Sequence, residues 1–265
     1  MAFLRRHFHT VFFNGVDLAD FGVHVSGNGV FNAPERDYET IEIPGRNGDL
    51  LIDKGRYKNV DITYHAFIAN DFRRNIDALR DFLLGSRGYN RLEDTYHPEE
   101  YRNAVFKGPL EIDTIMLKAG EFDLTFNCKP QRFMKAGEEM VVYEKPLGSG
   151  ISKTFEIYNP TFQYAEPKIT IYYPSNGTLR INGNVGEDPD AYQVYIRPYD
   201  YVHPNVDRIT IDSVLKDSYC GKTNCNDVVD IYGGEFPKLK PGLNTIELGG
   251  VNFLKMGLTP RWWTV

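Results

Sequence analysis

The chain has 265 residues, of which 42% are hydrophobic and 25% charged, and its formal net charge is −6. This length suggests two domains of about 100–200 residues each, with the composition of an ordinary soluble globular protein. Residues 1–139 hold 18 basic and 22 acidic side chains (−4), and residues 140–265 hold 12 and 14 (−2), so neither half has the basic surface of a nucleic-acid-binding protein. No apolar run approaches the ~20 residues that span a bilayer, so no membrane contact is predicted. His7, His9 and Thr10 interrupt the N-terminal apolar residues, which argues against a signal peptide.

The amino-acid composition favours β structure. The chain contains 17 Tyr, 17 Phe, 24 Gly and 15 Pro. Aromatic side chains suit half-buried strands, while Gly and Pro suit turns. Asn-Gly dipeptides, which tolerate the positive φ of tight hairpin turns, begin at positions 14, 28, 47, 176 and 182. Together these signals predict antiparallel sheets.

Residues 41–64, IEIPGRNGDLLIDKGRYKNVDITY, are predicted to form a β-meander of three strands. The strands come from the alternating apolar residues at 41–43 and 60–64 and from the apolar run at 50–52. A tight turn is predicted between the first two strands, where Asn47-Gly48 can adopt positive φ, and a second break is predicted at Lys54-Gly55. Composition and spacing alone predict no more than solvent-exposed turn residues at these positions.

One segment has the period of an amphipathic helix. Apolar residues recur at helical spacing within residues 70–84, at Phe72, Ile76, Leu79, Phe82 and Leu83. Asn70 or Asp71 is a candidate N-cap, and Gly85 is a candidate for the C′ position. The sequence therefore predicts one helix within an otherwise β-rich domain.

Residues 120–128 alternate strictly between apolar and polar side chains. The apolar set is Phe122, Leu124, Phe126 and Cys128. This period of two predicts a half-buried strand whose apolar set faces the core.

The polar residues 135–139 mark the predicted boundary between a domain of residues 1–139 and a domain of residues 140–265. Beyond it, short β-like runs recur about every 8–12 residues with turn signals between them, which is typical of a β-sandwich. The runs are residues 154–158, 168–172, 178–181, 193–197, 208–212, 228–232, 245–248 and 253–258, followed by Trp262-Trp263.

The sequence holds no pattern that predicts a catalytic, cofactor or metal site. Its six His have no metal-ligand spacing, and no nucleophile elbow, phosphate-binding loop or dinucleotide fingerprint occurs. Adjacent carboxylates such as Glu99 and Glu100 are usually solvated. We therefore predict no enzymatic activity, no catalytic residue, no cofactor and no bound metal.

The three cysteines are too few for a disulfide framework. Cys128 is predicted to be a small core residue. Cys220 and Cys225 flank a predicted loop, where they are either reduced, inert thiols or a disulfide. Two thiols alone cannot complete a tetrahedral zinc site.

Three segments of the N-terminal half resemble the siphophage distal tail (Dit) protein family. They are IPGRNGDL with the following GRYKN, the segment GYNRLEDTYHPEEYRNA, and GEFDLTFNCKPQRF, and they stand in the family's order. The C-terminal half is similar to the family in weaker motifs: FPKLKPGLN, then IEL, and finally TPRWW. Within the first segment, the family-motif turn consists of Pro44, Gly45, Arg46, Asn47, Gly48 and Asp49.

The resemblance implies a mainly β, two-domain structural protein of the virion, located at the phage tail tip and assembled in the host cytoplasm. It implies an N-terminal antiparallel β domain, a sandwich or split barrel with one α-helix, which forms a homohexameric ring. It also implies a C-terminal galectin-like β-sandwich that projects outward. The implied partners are the tail tube protein, the tail-associated protein and, where present, the receptor-binding proteins that attach to the host. DNA would only pass through the lumen.

Two other functions are considered. The C-terminal domain could instead be a module that binds host cell-wall carbohydrate, with stacking faces from Tyr172, Tyr173, Tyr192, Tyr195, Tyr199 and Tyr201. Ordinary sandwich aromatics explain the same tyrosines. A wall-degrading enzyme of the tail tip is the third possibility, and it lacks any motif.

Overall fold

The computed structural model describes residues 9–115, 118–145, 152–172, 176–197, 207–250 and 255–265. The chain divides into two compact units, Met1–Arg132 with Val265, and Phe133–Thr264. The division therefore follows residue 132, whereas the polar composition placed the boundary after residue 139.

The reason for this difference lies in the polar stretch itself. Lys135–Glu138 forms a 3-10 turn, and the Gly137 carbonyl accepts a hydrogen bond from the Arg261 backbone N–H at 2.8 Å. A Cβ atom at Gly137 would lie 2.4 Å from the Trp262 nitrogen, so the two segments are in close contact. The polar residues are thus part of the second unit and do not form a linker.

The first unit is built around a closed antiparallel sheet. Its strands are β1 Val11–Phe13, β2 Val16–Asp17, β3 Val23–Asn28, β4 Arg36–Ile41, β5 Leu50–Tyr57, β6 Val60–Ile68, β7 Asn90–Asp94, β8 Glu100–Phe106, β9 Ile112–Ile115 and β10 Ala119–Met134. The main sheet has the order β2-β1-β7-β8-β10-β6-β3, with β9 added on β10. A bridge between His9, just before β1, and Val25 of β3 joins the two ends of this sheet and closes a barrel.

Every second side chain of β10 points into the barrel and helps to fill its core. Phe122, Leu124, Phe126 and Cys128 are buried, while the residues between them are exposed or half-buried. The strand predicted at residues 120–128 is confirmed, and it continues to Met134. Burial of these side chains on one face supplies the main stabilisation of the sheet.

The predicted helix is also confirmed, as α1, Phe72–Gly85, which packs Phe72, Ile76, Leu79 and Leu83 into the same core. Of its predicted ends, Asp71 does occupy the N-cap position, whereas Gly85 does not lie beyond the helix. Gly85 is the last helical residue, and Ser86 ends the helix by donating both its N–H and its Oγ–H to the Phe82 carbonyl at 3.1 and 2.8 Å. Asp71 precedes the helix with φ of 48°, and its side chain makes no capping hydrogen bond.

The meander predicted for residues 41–64 is wrong. Strands β4 and β5 form a separate two-stranded sheet, and β6 joins the barrel between β3 and β10. Lys54-Gly55 does not end β5: Gly55 adopts φ of +70° and donates its N–H to Asp53 Oδ1 at 2.8 Å, which forms a bulge within the strand. Pairing then continues to Tyr57 opposite Arg36.

The second unit is a β-sandwich, as predicted. Its strands are β11 Val141–Glu144, β12 Ser152–Asn159, β13 Lys168–Tyr172, β14 Gly177–Ile181, β15 Tyr192–Ile196, β16 Arg208–Asp212, β17 Asp217–Cys220, β18 Thr223–Asn224, β19 Val229–Tyr232, β20 Gly242–Gly249, β21 Lys255–Thr259 and β22 Trp263–Thr264. One sheet has the order β11-β21-β13-β16-β17-β18 and the other the order β12-β20-β14-β15-β19. Inward side chains of both sheets share one core, among them Ile169, Ile209 and Met256 from the first and Leu179, Val194 and Ile246 from the second. The start of the run predicted at residues 253–258 lies outside the described residues.

Only some of the five Asn-Gly dipeptides lie between paired strands, as the prediction of hairpin turns requires. Asn14-Gly15, with φ of 50° and 78°, forms the two-residue turn between β1 and β2. Asn47-Gly48 lies in the loop between β4 and β5, and Asn182-Gly183 begins the longer β14–β15 connection. The other two dipeptides do not connect paired strands: Asn28-Gly29 follows β3, and Asn176-Gly177 leads into β14.

Shorter helical segments are 3-10 turns at Leu18–Phe21, Lys135–Glu138 and Asn226–Val228. Within the described residues, no helix has the length and apolar character needed to cross a bilayer.

A partly buried ion pair helps to fix the C-terminal segment to the sandwich. Arg261 donates two hydrogen bonds to the Asp212 carboxylate, at 2.6 and 2.7 Å, and the backbone N–H groups of Val214 and Leu215 add two more at 3.1 and 3.2 Å. Burial raises the pKa of Asp212, but the Arg261 and backbone hydrogen bonds outweigh it, so the pKa lies below its ordinary value. The carboxylate is therefore more stable in the folded state than in the unfolded chain.

We predict that Asp212→Asn lowers the free energy of unfolding by roughly 2–3 kcal/mol, because it breaks a buried charged pair. Asp212 stabilises the fold fully above its unfolded pKa of about 4, and this contribution is lost as the pH falls through its lower folded pKa. Chemical denaturation between pH 7 and pH 2 measures both effects. Asp230→Asn, which breaks the exposed pair with Arg197, is the control and should change stability by less than about 1 kcal/mol. Equal losses in the two variants would contradict the assignment.

Candidate interaction surface

The hairpin of β4 and β5 stands apart from the barrel as a sheet of its own. Every residue from 38 to 56 is exposed, and no other strand within the described residues pairs with either β4 or β5. A two-stranded sheet in water is marginally stable without a surface to pack on. The hairpin is therefore the part of the described structure that most needs a partner.

Three aliphatic side chains lie together on one face of this hairpin. Ile41 is paired with Leu50, and Ile52 is paired with Glu39, so alternation puts all of them on the same side. Ile41, Leu50 and Ile52 are 41%, 40% and 41% exposed. We refer to these three residues as the aliphatic face of the hairpin. A cluster of exposed aliphatic side chains is typical of an interaction surface.

Glu39 and its partner Lys54 share the aliphatic face, and the opposite face of the hairpin is mixed as well. Tyr38 and Leu51 are exposed there beside Thr40 and Asp53. Both strands also keep one edge whose backbone groups are unpaired within the described residues, and such edges can pair with another chain.

The hairpin's base is held by cross-strand ion pairs. Arg36 donates to Asp53 at 2.6 and 2.9 Å, and to the Tyr57 hydroxyl at 3.1 Å. Hydrogen bonding by Arg36 holds the pKa of Asp53 below its ordinary value. A second group of pairs links the strands and their flanks: Arg56 with Asp37, Lys54 with Glu39, and Lys58 with Glu35. These contacts fix the register of the hairpin even though its surface is solvated.

The family-motif turn lies at the tip of the hairpin. Residues 42–49 form an eight-residue loop between the last pair, Ile41 and Leu50, so the predicted tight turn is wrong. Positive φ occurs at Gly45 (79°) and Gly48 (81°), and Asn47 does not adopt it. The other motif residues are Pro44, Arg46 and Asp49. Within the described residues, no side chain of the motif makes a hydrogen bond or ion pair, and all are exposed.

A cavity of about 550 Å³ on the outer surface of the barrel is acidic. Its lining includes Glu111, Asp113, Glu121, Asp123 and His65. His65 Nδ1 lies 2.5 Å from Asp123 Oδ1. Nowhere in the described residues do three or more His, Cys, Asp or Glu side chains form a group that could hold a metal. The cavity therefore offers negative charge without the geometry of a metal site.

The tyrosines considered for carbohydrate stacking do not form one surface. Tyr192 faces the sandwich core, Tyr195 lies on the other side of the same strand, and Tyr172 belongs to the other sheet. Tyr173, Tyr199 and Tyr201 lie outside the described residues. The described tyrosines have the positions of ordinary sandwich residues.

All three cysteines are free. Cys128 is in the barrel core, and burial raises the pKa of its thiol to about 12. Cys225 is also buried, and burial raises the pKa of its thiol. Cys220, at the end of β17, is half-buried.

Two comparisons show what the chain is similar to. Residues 16–128 match the family model of the phage tail protein RIFT-related domain. This stretch runs from β2 into β10 and includes the hairpin, so the match covers most of the first unit. No curated protein matches the sequence significantly.

The whole chain is similar in structure to the SPP1 Dit (gp 19.1) protein, whose crystal structure is described as a paradigm of the hub adsorption apparatus in phages that infect Gram-positive bacteria. The TM-score is 0.68 at 14% sequence identity, over 94% of this chain and 97% of that one. At 14% sequence identity, this structural similarity shows that the two proteins share a fold. The predicted resemblance to siphophage distal tail proteins is thus confirmed by two findings. They are the match to a phage tail domain model and the similarity in fold to a Dit hub protein.

We predict that only Cys220 reacts readily with a thiol reagent in the native protein at pH 8. Cys128 and Cys225 are buried and their raised pKa values leave little thiolate, which is the reactive form. Mass spectrometry after timed labelling with and without denaturant measures this order. Rapid native labelling of Cys225, or a disulfide between Cys220 and Cys225, would contradict it.

Proposed function

We propose that this chain is a structural hub protein at the distal end of a siphophage or prophage tail. Six copies would form a ring through their N-terminal units, and the ring would connect the tail tube to the tail-tip baseplate. The phage tail domain at residues 16–128 and the Dit hub fold support this proposal. The observation that carries it is the exposed aliphatic face of the hairpin, which the described part of its own chain does not cover.

A ring of identical subunits explains this exposed surface. Head-to-tail contacts in a closed ring need two different complementary patches on each subunit. The hairpin supplies one such patch, with an aliphatic face for burial and strand edges for backbone pairing. The motif turn Pro44, Gly45, Arg46, Asn47, Gly48 and Asp49 lies at its tip, where it would reach the neighbouring copy.

The second unit would serve a different role. We assign residues 133–264 to a galectin-like sandwich that binds peripheral tail-tip partners, namely the tail-associated protein and, where present, receptor-binding proteins used in host attachment. Its separate core supports a separate function. The role is structural and requires no catalysis, metal or cofactor.

This assignment places the protein in the virion at the tail tip, after assembly in the host cytoplasm. DNA would pass through the ring without being bound. The net charge of −6 and the acidic cavity on the barrel are consistent with weak attraction to DNA.

We predict that Ile41→Glu or Ile52→Glu weakens ring formation by at least about 2 kcal/mol per contact, roughly thirtyfold in affinity, because each places a charge in a buried apolar contact. Both residues are exposed in the monomer, so folding should be unaffected. Mass photometry of the purified protein, alone and with neighbouring tail proteins, measures the change. The matched control is Leu215→Glu, on an exposed turn of the second unit where Leu215 is 64% exposed; it should assemble normally.

Unchanged ring formation by both hairpin variants would show that the hairpin is not the contact. A wild-type protein that stays monomeric even with its neighbouring tail proteins would overturn the hub assignment itself.

We also predict that a truncated chain ending at Arg132 folds, forms rings and loses binding of peripheral tail-tip proteins. It retains the barrel, α1 and the hairpin, and it avoids the residues from 133 onward that pack within the second unit. Circular dichroism and light scattering test folding and assembly. A folded monomer from this chain, with rings only when residues 133–265 are present, would reverse the roles of the two units.

A further inference from the structure

The five Asn-Gly dipeptides carry a chemical reactivity as well as a turn preference. They begin at positions 14, 28, 47, 176 and 182. Asparagine followed by glycine is prone to deamidation in water, because glycine has no side chain to hinder attack by its backbone nitrogen on the asparagine side chain. The attack requires an asparagine whose side chain and following peptide group can rotate into contact. The fold therefore determines which of the five dipeptides can react.

Asn47-Gly48 meets this requirement. Both residues are exposed in the eight-residue loop between Ile41 and Leu50. Within the described residues, no hydrogen bond holds the Asn47 side chain or the Gly48 N–H. A Cβ atom added at Gly48 would have no atom beyond its chain neighbours within 4 Å, so the space around the reacting peptide group is open.

The second unit holds its two dipeptides through their side chains. Asn182 Oδ1 accepts from the Thr245 N–H at 3.0 Å, and its Nδ2 donates to two further acceptors at 3.0 and 3.3 Å. Asn176 Oδ1 accepts from the Tyr195 hydroxyl at 2.5 Å, and Gly177 is buried at the start of β14. Attack on either side chain must first break these contacts, at a cost of about 1 kcal/mol for each hydrogen bond.

The first unit holds its other two dipeptides through the backbone. Asn14-Gly15 is exposed, but it forms the two-residue turn between the paired strands β1 and β2, and the Asn14 N–H donates to the Arg91 carbonyl at 2.9 Å. Asn28 is paired with Thr63 in the sheet. Because the reaction closes a ring that includes the asparagine backbone, a paired strand or a tight turn opposes it.

We propose that Asn47 is a site of spontaneous deamidation in the native protein, and that the fold protects the other four dipeptides. The Gly48 nitrogen, after losing its proton to a base in solution, forms a bond to Asn47 Cγ. The Cγ–Nδ2 bond breaks, and the nitrogen leaves as ammonia after taking a proton from water. The product of this step is a five-membered succinimide.

Water then opens the succinimide at one of its two carbonyl carbons. Opening at Cγ gives aspartate in a normal backbone, and opening at the backbone carbonyl carbon gives isoaspartate, through whose side chain the main chain continues. Either product puts a new carboxylate two residues before Asp49, and isoaspartate also lengthens the backbone of the family-motif turn by a methylene group. The reaction needs only water, and it stands whether or not the chain forms a ring.

The test is timed incubation of the full-length protein at mildly alkaline pH, at a dilution where mass photometry shows monomers. Peptide mapping by mass spectrometry measures aspartate and isoaspartate at all five dipeptides, in buffer and in denaturant. Dividing each native rate by the rate in denaturant removes the effect of flanking residues. This ratio should be at least about tenfold higher for Asn47 than for any other site, since the others must first break one or two hydrogen bonds.

Two variants identify the source of the product. Asn47→Gln should abolish the rapid formation of a more acidic species on ion exchange, because glutamine would have to close a six-membered ring. Asn14→Gln, at the other exposed Asn-Gly turn of the first unit, is the matched control and should leave that species unchanged. A ratio for Asn47 no higher than that for Asn14, or rapid acidification that persists in Asn47→Gln, would overturn the proposal.

Discussion

The structure depends on one constraint: the hairpin of β4 and β5 exposes aliphatic side chains and open strand edges that the described part of its own chain does not cover. Cross-strand pairs at its base, led by Arg36 with Asp53, hold its register. The Gly55 bulge keeps both strands paired to Tyr57. A hairpin that is ordered in this way but unpacked has the properties of an assembly element, since burying its aliphatic face requires a second surface.

The rest of the N-terminal unit is a closed barrel with a packed core. Closure through the His9–Val25 bridge leaves the barrel without a long free edge, and α1 packs into its core. The hairpin keeps its open edges outside this barrel, where they can pair with another copy. The sandwich has its own core and its own stabilising ion pair, Asp212 with Arg261. These separate cores are consistent with the two roles proposed for the two units.

Much of the fold could be predicted because the spacing of apolar residues along the sequence follows the buried face of each helix or strand. The strand at residues 120–128, the helix α1 and the described runs of the second half appear as expected. The hairpin could not be predicted in the same way, since Ile41, Leu50 and Ile52 alternate as core residues do while lying exposed. The polar residues 135–139 indicated a domain boundary, because composition does not reveal their backbone contacts with the C-terminal segment. The burial of Arg102 had a signal in the sequence, since Arg102 alternates in phase with Ala104 and Phe106 on the inward face of β8.

Hydrogen–deuterium exchange of the backbone amides in residues 38–56 tests most directly whether a second copy covers the hairpin. The protein would be compared by mass spectrometry in its assembled form and after dilution to monomers. We expect the amides on the open edges of β4 and β5 to exchange rapidly in the monomer and to become protected in the ring, while the barrel strands change little. Equally rapid exchange of the hairpin in both states, with protection appearing elsewhere, would contradict the assignment of the hairpin as the ring contact.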